Sequence, residues 1–147
     1  MHILFAVGRV LLVLIFILSG GMKLLDIQGT AAQIAPVITI PDMLANLVVQ
    51  LEAVTGMKWP ALLAILAGVI EVVGGVLVAF NVATRGAAAV LALFTLVTTF
   101  YFHAFWNMSG ELMQNNMIHA LKNLAIIGGL SILVVLGSWR PVRSNQI

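Results

Sequence analysis

The chain has 147 residues, of which 62% are hydrophobic and 8% are charged, and its mean hydropathy is +1.14. This composition excludes a soluble globular domain and predicts an integral membrane protein. Seven basic and five acidic residues give a formal net charge of +2 without a basic run, so no nucleic-acid partner is expected. Because the chain has no cysteine, we also expect no disulfide, iron–sulfur cluster or cysteine-based zinc site.

Four segments are long and apolar enough to cross a bilayer, which requires about 20 mainly apolar residues. They cover approximately 3–25, 59–80, 86–107 and 116–137. The second and third connections are short, which predicts antiparallel neighbours. We therefore predict an all-α fold, a transmembrane four-helix bundle that forms a single domain over residues 1–147.

The first connection, residues 26–58, is longer than the other two. Its second half opens with Pro41 and Asp42, which is typical of a helix start. Apolar residues then recur at helical spacing, namely Met43, Leu44, Leu47, Val48, Leu51 and Val54. We predict a short amphipathic helix that lies on the membrane surface or caps the bundle. An ordinary ordered loop is the alternative.

The arginines favour one orientation of the bundle. Arg9, Arg85, Arg140 and Arg143 fall on the same side of the four predicted spans. Basic residues near short loops mark the cytoplasmic side of a membrane protein. We therefore predict that both termini are cytoplasmic and that the first connection lies on the outer side.

Ionisable side chains inside apolar spans are costly, and they mark functional sites in membrane proteins. There are six of them: Arg9, Lys23, Glu71, His103, His119 and Lys122. Glu71 lies near the middle of the second span, where a bare carboxylate needs a counter-ion. Lys122 and Arg9 are its two candidate partners, one from each side. An ion pair that only fixes helix register is the alternative to a functional role.

Most of these side chains are predicted to converge on the outer half of the bundle, because the spans alternate in direction. His119, Lys122 and Asn123 share one face of the fourth span through their spacing of three and four residues. We predict a site in which Glu71, His103 and Lys122 exchange protons or form a polar centre. The predicted substrate-binding residues are Lys23, Tyr101, Trp106, His119 and Asn123.

The two histidines of this site also have plainer interpretations. Each can be an interfacial side chain with a hydrated polar tip, and together they could ligate haem or copper with a nearby methionine. Because two histidines near one membrane boundary do not make a metal site, we predict no bound metal.

A set of spaced motifs runs through all four spans. They are Gly8-Arg9, Ser19-Gly20 and Lys23-Leu24, then Gly68, Glu71, Gly74-Gly75 and Thr84-Arg85, and finally Phe102-His103, Lys122-Asn123 and Gly128-Gly129. This pattern resembles the DoxX family of small four-helix membrane proteins. The resemblance implies a bacterial inner-membrane protein. It also implies an accessory subunit beside redox machinery, as in members associated with quinol oxidase and thiosulfate:quinone oxidoreductase.

Three functions are compatible with these residues. In the first, the chain is an accessory subunit of a quinone-linked redox system and is not catalytic alone. A quinone enters between the helices, its carbonyls meet His103, His119 or Lys122, and Glu71 exchanges protons.

In the second, the chain is a noncatalytic scaffold that binds other membrane subunits or forms a homo-oligomer. The third, a small-molecule or metal-ion carrier, needs a water-accessible path through the bundle, for which the cytoplasmic half offers little beyond Arg9. Membrane lipid surrounds the chain in all three cases.

Overall fold

The computed structural model describes residues 2–137, except for the side chain of residue 2. The arginines at 140 and 143 therefore lie outside the described residues. Within 2–137 the chain forms helices α1 His2–Leu25, α2 Ile27–Ile34, α3 Asp42–Thr55, α4 Trp59–Ala79, α5 Thr84–Phe102 and α6 Gly110–Leu136, with a 3₁₀ turn at Phe105–Asn107.

Four segments are long and apolar enough to span a membrane: Ile3–Leu25, Trp59–Ala79, Thr84–Asn107 and Gly110–Leu136. The predicted all-α transmembrane bundle is confirmed.

Two boundaries differ from the prediction by more than two residues. α5 ends at Phe102 and a short 3₁₀ turn follows, so His103 lies just past the helix end. α6 begins six residues earlier than predicted. Glu111, Gln114 and Asn115 interrupt the apolar run in its first two turns, and the predicted span was based on such a run. Gly110 has a φ of 62°, a left-handed conformation that glycine adopts without strain.

The bundle is built from two close pairs, α1 with α4 and α5 with α6, which α4 and α5 join. α1 and α4 approach each other closely at Gly20. A Cβ on Gly20 would lie 2.7 Å from the carbonyl oxygen of Gly68 and 2.7 Å from the Cβ of Glu71. Small residues allow such contacts in membranes, where packing drives helix association. This contact places the backbone of Glu71 directly against α1.

The apolar core lies in one half of the bundle. Its fully buried members include Val13, Val78, Leu91 and Leu130. They come from the first half of α1 and α5 and from the second half of α4 and α6, which meet at one end of the bundle. We call this the Arg9 end and the opposite one the α2 end. Side chains therefore fill the Arg9 half, and the α2 half contains the cavity described below.

Arginines bind the ends of two helices at the Arg9 end. Arg9 donates from Nη2 to the carbonyl oxygen of Ala79 over 3.2 Å, and Arg85 donates from Nη2 to that of Val135 over 2.7 Å. Both carbonyls lie in the last turn of a helix, where a cation also interacts favourably with the helix dipole. Arg9 and Arg85 therefore contribute to the ends of α4 and α6.

The first connection contains two helices. The predicted helix is confirmed as α3, and none of its residues is buried. The shorter α2 was not predicted. Asp26 caps it by accepting from the N–H of Gly29 over 2.9 Å, and Ala31 and Ile34 are buried against the bundle. α2 thereby covers part of the α2 end.

A carboxylate joins α3 to the start of α4. Glu52 accepts from the backbone N–H of Trp59 over 2.9 Å and pairs with Lys58 at 3.2 Å. The Trp59 N–H, followed by Lys58, holds the pKa of Glu52 below its usual value. The carboxylate satisfies a free N–H in the first turn of α4, as a helix cap does.

Candidate functional site

Glu71 forms an ion pair with Lys23. The Nζ of Lys23 lies 2.7 Å from Oε2 of Glu71, and the two side chains are 28% and 7% exposed respectively. Ser19 completes the group: its hydroxyl donates to Oε1 of Glu71 over 3.3 Å and accepts from Lys23 over 2.6 Å. The contact of Lys23 with Oε2 is an ion contact without the alignment of a hydrogen bond. We call these three residues the α1–α4 triad.

This pairing corrects the prediction that Arg9 or Lys122 is the partner of Glu71. Helical side chains lean toward the helix N-terminus, so Lys23 near the end of α1 leans back to the depth of Glu71. Arg9 contacts Ala79, eight residues along α4 and therefore about 12 Å away from Glu71 along the helix axis. Lys122 is exposed on α6.

The triad forms part of the wall of a cavity of about 350 Å³ in the α2 half of the bundle. Four of the eight predicted site residues line it, namely Lys23, Glu71, His103 and Asn123. Ser19 and Thr98 add hydroxyl groups, and Phe16, Ala67 and Phe94 are among the apolar lining residues. The cavity is therefore an apolar chamber with a few polar groups, which is the usual composition of a small-molecule site.

His103 is held in one orientation by Asn116. Nδ1 of His103 lies 3.0 Å from Oδ1 of Asn116. The amide nitrogen of Asn116 donates to the carbonyl oxygen of Leu112 over 3.0 Å, which fixes the oxygen of the amide as the atom that faces the ring. Nδ1 must then carry the hydrogen, so Nε2 of a neutral His103 is left as an acceptor.

Asn123 and His119 each contact a side chain near the cavity, one through a hydrogen bond and the other through ring stacking. The amide nitrogen of Asn123 donates to the hydroxyl of Thr99 over 2.8 Å, which ties α6 to α5 beside the cavity. His119 is exposed, and its ring stacks on His103 with the centroids 5.0 Å apart and an interplanar angle of 13°. His119 therefore contacts a residue of the cavity wall without lining it.

The remaining predicted residues do not line the cavity. Tyr101 and Trp106 are 46% and 52% exposed, and each packs against Phe100 with ring centroids 5.6 Å apart. Exposed aromatic rings at a helix end are typical of the membrane interface. Lys122 is exposed on α6, and Arg9 lies at the opposite end. The predicted cluster thus divides into cavity residues and surface residues.

Sequence reasoning did not identify several residues of the site. Ser19 could have been found, because it precedes Lys23 by four residues and therefore shares its helix face. Asn116 precedes His119 by three residues on the same basis. Thr30 and Gln33 line the cavity from α2, and they were missed because that helix was not predicted.

The described side chains contain no group of three or more histidine, aspartate and glutamate residues placed to hold a metal ion. The ionisable groups at the cavity are an ion pair and one histidine. The arrangement offers hydrogen-bond donors from Lys23 and acceptors from Glu71, His103 and the hydroxyl oxygen of Thr98, whose hydrogen is donated to a carbonyl of α5.

The sequence of the chain is similar to those of one family of membrane proteins. A model of the DoxX family matches residues 4–104. Inner membrane protein YphA of Escherichia coli strain K12 is 32% identical over 135 residues, which cover 92% of this chain and 84% of that protein. Inner membrane protein YqjF of the same strain is 30% identical over 131 residues, covering 89% and 82%. No solved structure matches the chain.

The matched family region ends just after α5. It contains Lys23, Glu71 and His103, whereas Asn116 and Asn123 on α6 lie beyond residue 104.

Proposed function

Since the chain belongs to the DoxX family of membrane proteins, we propose that it is an inner-membrane accessory subunit of a quinone-linked redox system. In this proposal the chain binds the quinone headgroup and a partner protein exchanges the electrons. The inner-membrane location is supported by the two relatives, both of which are named as inner membrane proteins. The single observation that carries the binding role is the cavity beside the α1–α4 triad.

The size and polarity of the cavity suit a quinone headgroup. Its volume of about 350 Å³ lies within the range of roughly 300–1,000 Å³ for small-molecule sites. A quinone ring is flat and largely apolar, with carbonyl oxygens that accept hydrogen bonds. Lys23 has three N–H donors. Ser19 accepts from one of them, and the contact with Glu71 is an ion contact without the alignment of a hydrogen bond, so a donor is available to a quinone carbonyl.

The acceptors of the cavity suit the reduced form. A quinol has hydroxyl groups that must donate when they are buried. Nε2 of a neutral His103 is an acceptor because Asn116 holds Nδ1 as the donor. The Glu71 carboxylate offers a second acceptor, so both forms of the molecule find partners in one chamber.

We also place the Arg9 end in the cytoplasm. Arg9 and Arg85 both lie there, and basic residues near short loops favour the cytoplasmic side. The cavity then lies in the outer half of the bundle. A cysteine introduced at Val82, between α4 and α5, should be modified by a membrane-impermeant thiol reagent only after the cells are permeabilised. Modification in intact cells would contradict this orientation.

Quinone binding can be measured on the protein in native nanodiscs, by mass spectrometry of the extracted lipids and by titration with a quinone. Lys23→Met should weaken binding by about tenfold through the loss of one charge-assisted hydrogen bond. Lys122→Met is the matched control, because Lys122 lies outside the cavity, and it should bind normally. Thr98→Val changes a residue of the cavity wall without breaking the ion pair, and its quinone binding can be measured in the same way. Equal losses in both lysine variants, or no binding by the unaltered protein, would contradict the proposal.

A noncatalytic scaffold is the second candidate. It is favoured by the fact that Lys23 and Glu71 satisfy each other beside the α1–α4 contact, as a pair that fixes helix register would. A scaffold should copurify with a membrane partner in constant ratio, without quinone, and His103→Ala should retain that partner. Loss of quinone from His103→Ala would instead support the binding role.

A further inference from the structure

A groove runs along the outside of α1 next to α2 and has a volume of about 480 Å³. Its apolar part consists of Ile15, Leu18 and Met22, which are 51%, 59% and 71% exposed. Ile15 and Met22 are seven residues apart, so this strip extends about 10 Å along the helix. The polar part toward the α2 end consists of Ser19, Lys23, Asp26, Thr30 and Gln33. The groove is thus apolar at membrane depth and polar near the interface.

The groove adjoins the cavity. Five residues line both: Ile15, Ser19, Lys23, Thr30 and Gln33. Lys23 therefore lies at the boundary between the two spaces, and its ammonium group contacts Ser19 and Glu71. If the head of a molecule occupies the cavity, its tail can extend past Lys23 onto the exposed face of α1.

The polarity of the two spaces selects one kind of occupant. At the polar end of the groove the exposed carboxylate of Asp26 offsets the charge of Lys23, so this end offers no net positive charge to a phosphate headgroup. At the other end an apolar strip faces the lipid tails. A neutral head in the cavity and an apolar tail in the groove satisfy both spaces at once.

We infer that the groove between α1 and α2 binds the apolar tail of the molecule whose head occupies the cavity, and that this molecule enters sideways from the bilayer past Lys23. The ligand is then an amphiphile with a neutral head and a long apolar tail. This inference rests on the proposed function and specifies the substrate class of the same site.

Binding should be compared for a tailless quinone and for otherwise identical quinones with a short and a long isoprenoid tail, corrected for partition into the nanodisc lipid. The long tail should improve binding by about tenfold, a gain from packing because both environments are apolar. Leu18→Trp should abolish most of this gain and retain the tailless quinone. Leu93→Trp on α5 is the control, since Leu93 is 63% exposed and Leu18 is 59% exposed.

A quinone with a photoreactive diazirine in its tail provides a second readout. It should label Leu18 and Met22, and untagged quinone should compete. Quinone binding that is independent of tail length would contradict the inference that the groove binds the tail, and so would equal effects of the two tryptophan variants. Neither result would contradict the proposal that the cavity binds the headgroup. Failure of every quinone to bind would overturn both. If a photoreactive phospholipid labels the groove and quinone does not displace it, the occupant is bulk lipid and the inference is wrong.

Discussion

Replacement of Lys23 by methionine is expected to be one of the most destabilising changes of a polar residue in the bundle. It leaves the carboxylate of Glu71, whose side chain is 7% exposed, with the Ser19 hydroxyl at 3.3 Å as its remaining partner. Breaking a buried ion pair from one side typically costs about 3–5 kcal/mol of unfolding free energy. We expect about 3 kcal/mol, the lower end of this range, because the Lys23 side chain is 28% exposed.

The reverse change should cost less. In Glu71→Gln the amide can still accept from Ser19, and Lys23 can extend toward the interface, so the expected loss is about 1 kcal/mol. The double variant Lys23→Met/Glu71→Gln has no unpaired charge and should lose about 2 kcal/mol, less than the sum of the single changes. The resulting coupling energy of about 2 kcal/mol lies within the range found for contacting residues.

The free energies can be obtained from reversible unfolding by sodium dodecyl sulfate in mixed micelles, followed by circular dichroism. Lys122→Met serves as the lysine control and Arg9→Met tests the other expected partner. Strict additivity of the two changes would refute the reasoning from the α1–α4 triad. So would a coupling of Glu71 to Lys122 or Arg9 as large as its coupling to Lys23.

Three further predictions concern other contacts. Gly20→Ala should destabilise the bundle by about 2 kcal/mol through overpacking, whereas Gly21→Ala, whose Cβ would meet no atom within 4 Å, should be neutral in the same unfolding assay. The pKa of Glu52 is lowered in the folded protein from a value near 4.5, so its contribution is full above that pH and is lost as the pH falls through the folded pKa. Tryptophan fluorescence at the start of α4 should show this transition, and it should be absent in Glu52→Gln. In ¹⁵N NMR, His103 should be protonated at Nδ1 when neutral, and Asn116→Leu should remove this preference; an Nε2-protonated ring in the unaltered protein would contradict the assignment.

The four spans were predictable because a membrane helix is defined by a run of apolar residues, which a sequence displays directly. α3 was also predictable from its periodic apolar residues and its proline start. α2 was not, since it has only eight residues, which include Gly29 and Thr30 and are too few to establish a helical period. This helix depends on the Asp26 cap and on the burial of Ala31 and Ile34, and burial of this kind is a tertiary property.

The site was only partly predictable. The sequence indicated the depth of each polar residue, and depth alone suggested that Lys122 and Lys23 lie in one cluster. Rotation about each helix axis decides which residues face inward, and it is set by contacts such as that of Gly20 with α4. The sequence placed Lys23 in the predicted cluster, while its pairing with Glu71 required the structure.

The filled half of the bundle has an electrical consequence. Leu91 and Leu130 are fully buried, and Phe16 lies in the same core and also lines the cavity. A charge that moved from the cavity toward the Arg9 end would have to cross these apolar side chains, at a large cost in solvation energy. The core therefore acts as insulation against leakage of protons and ions.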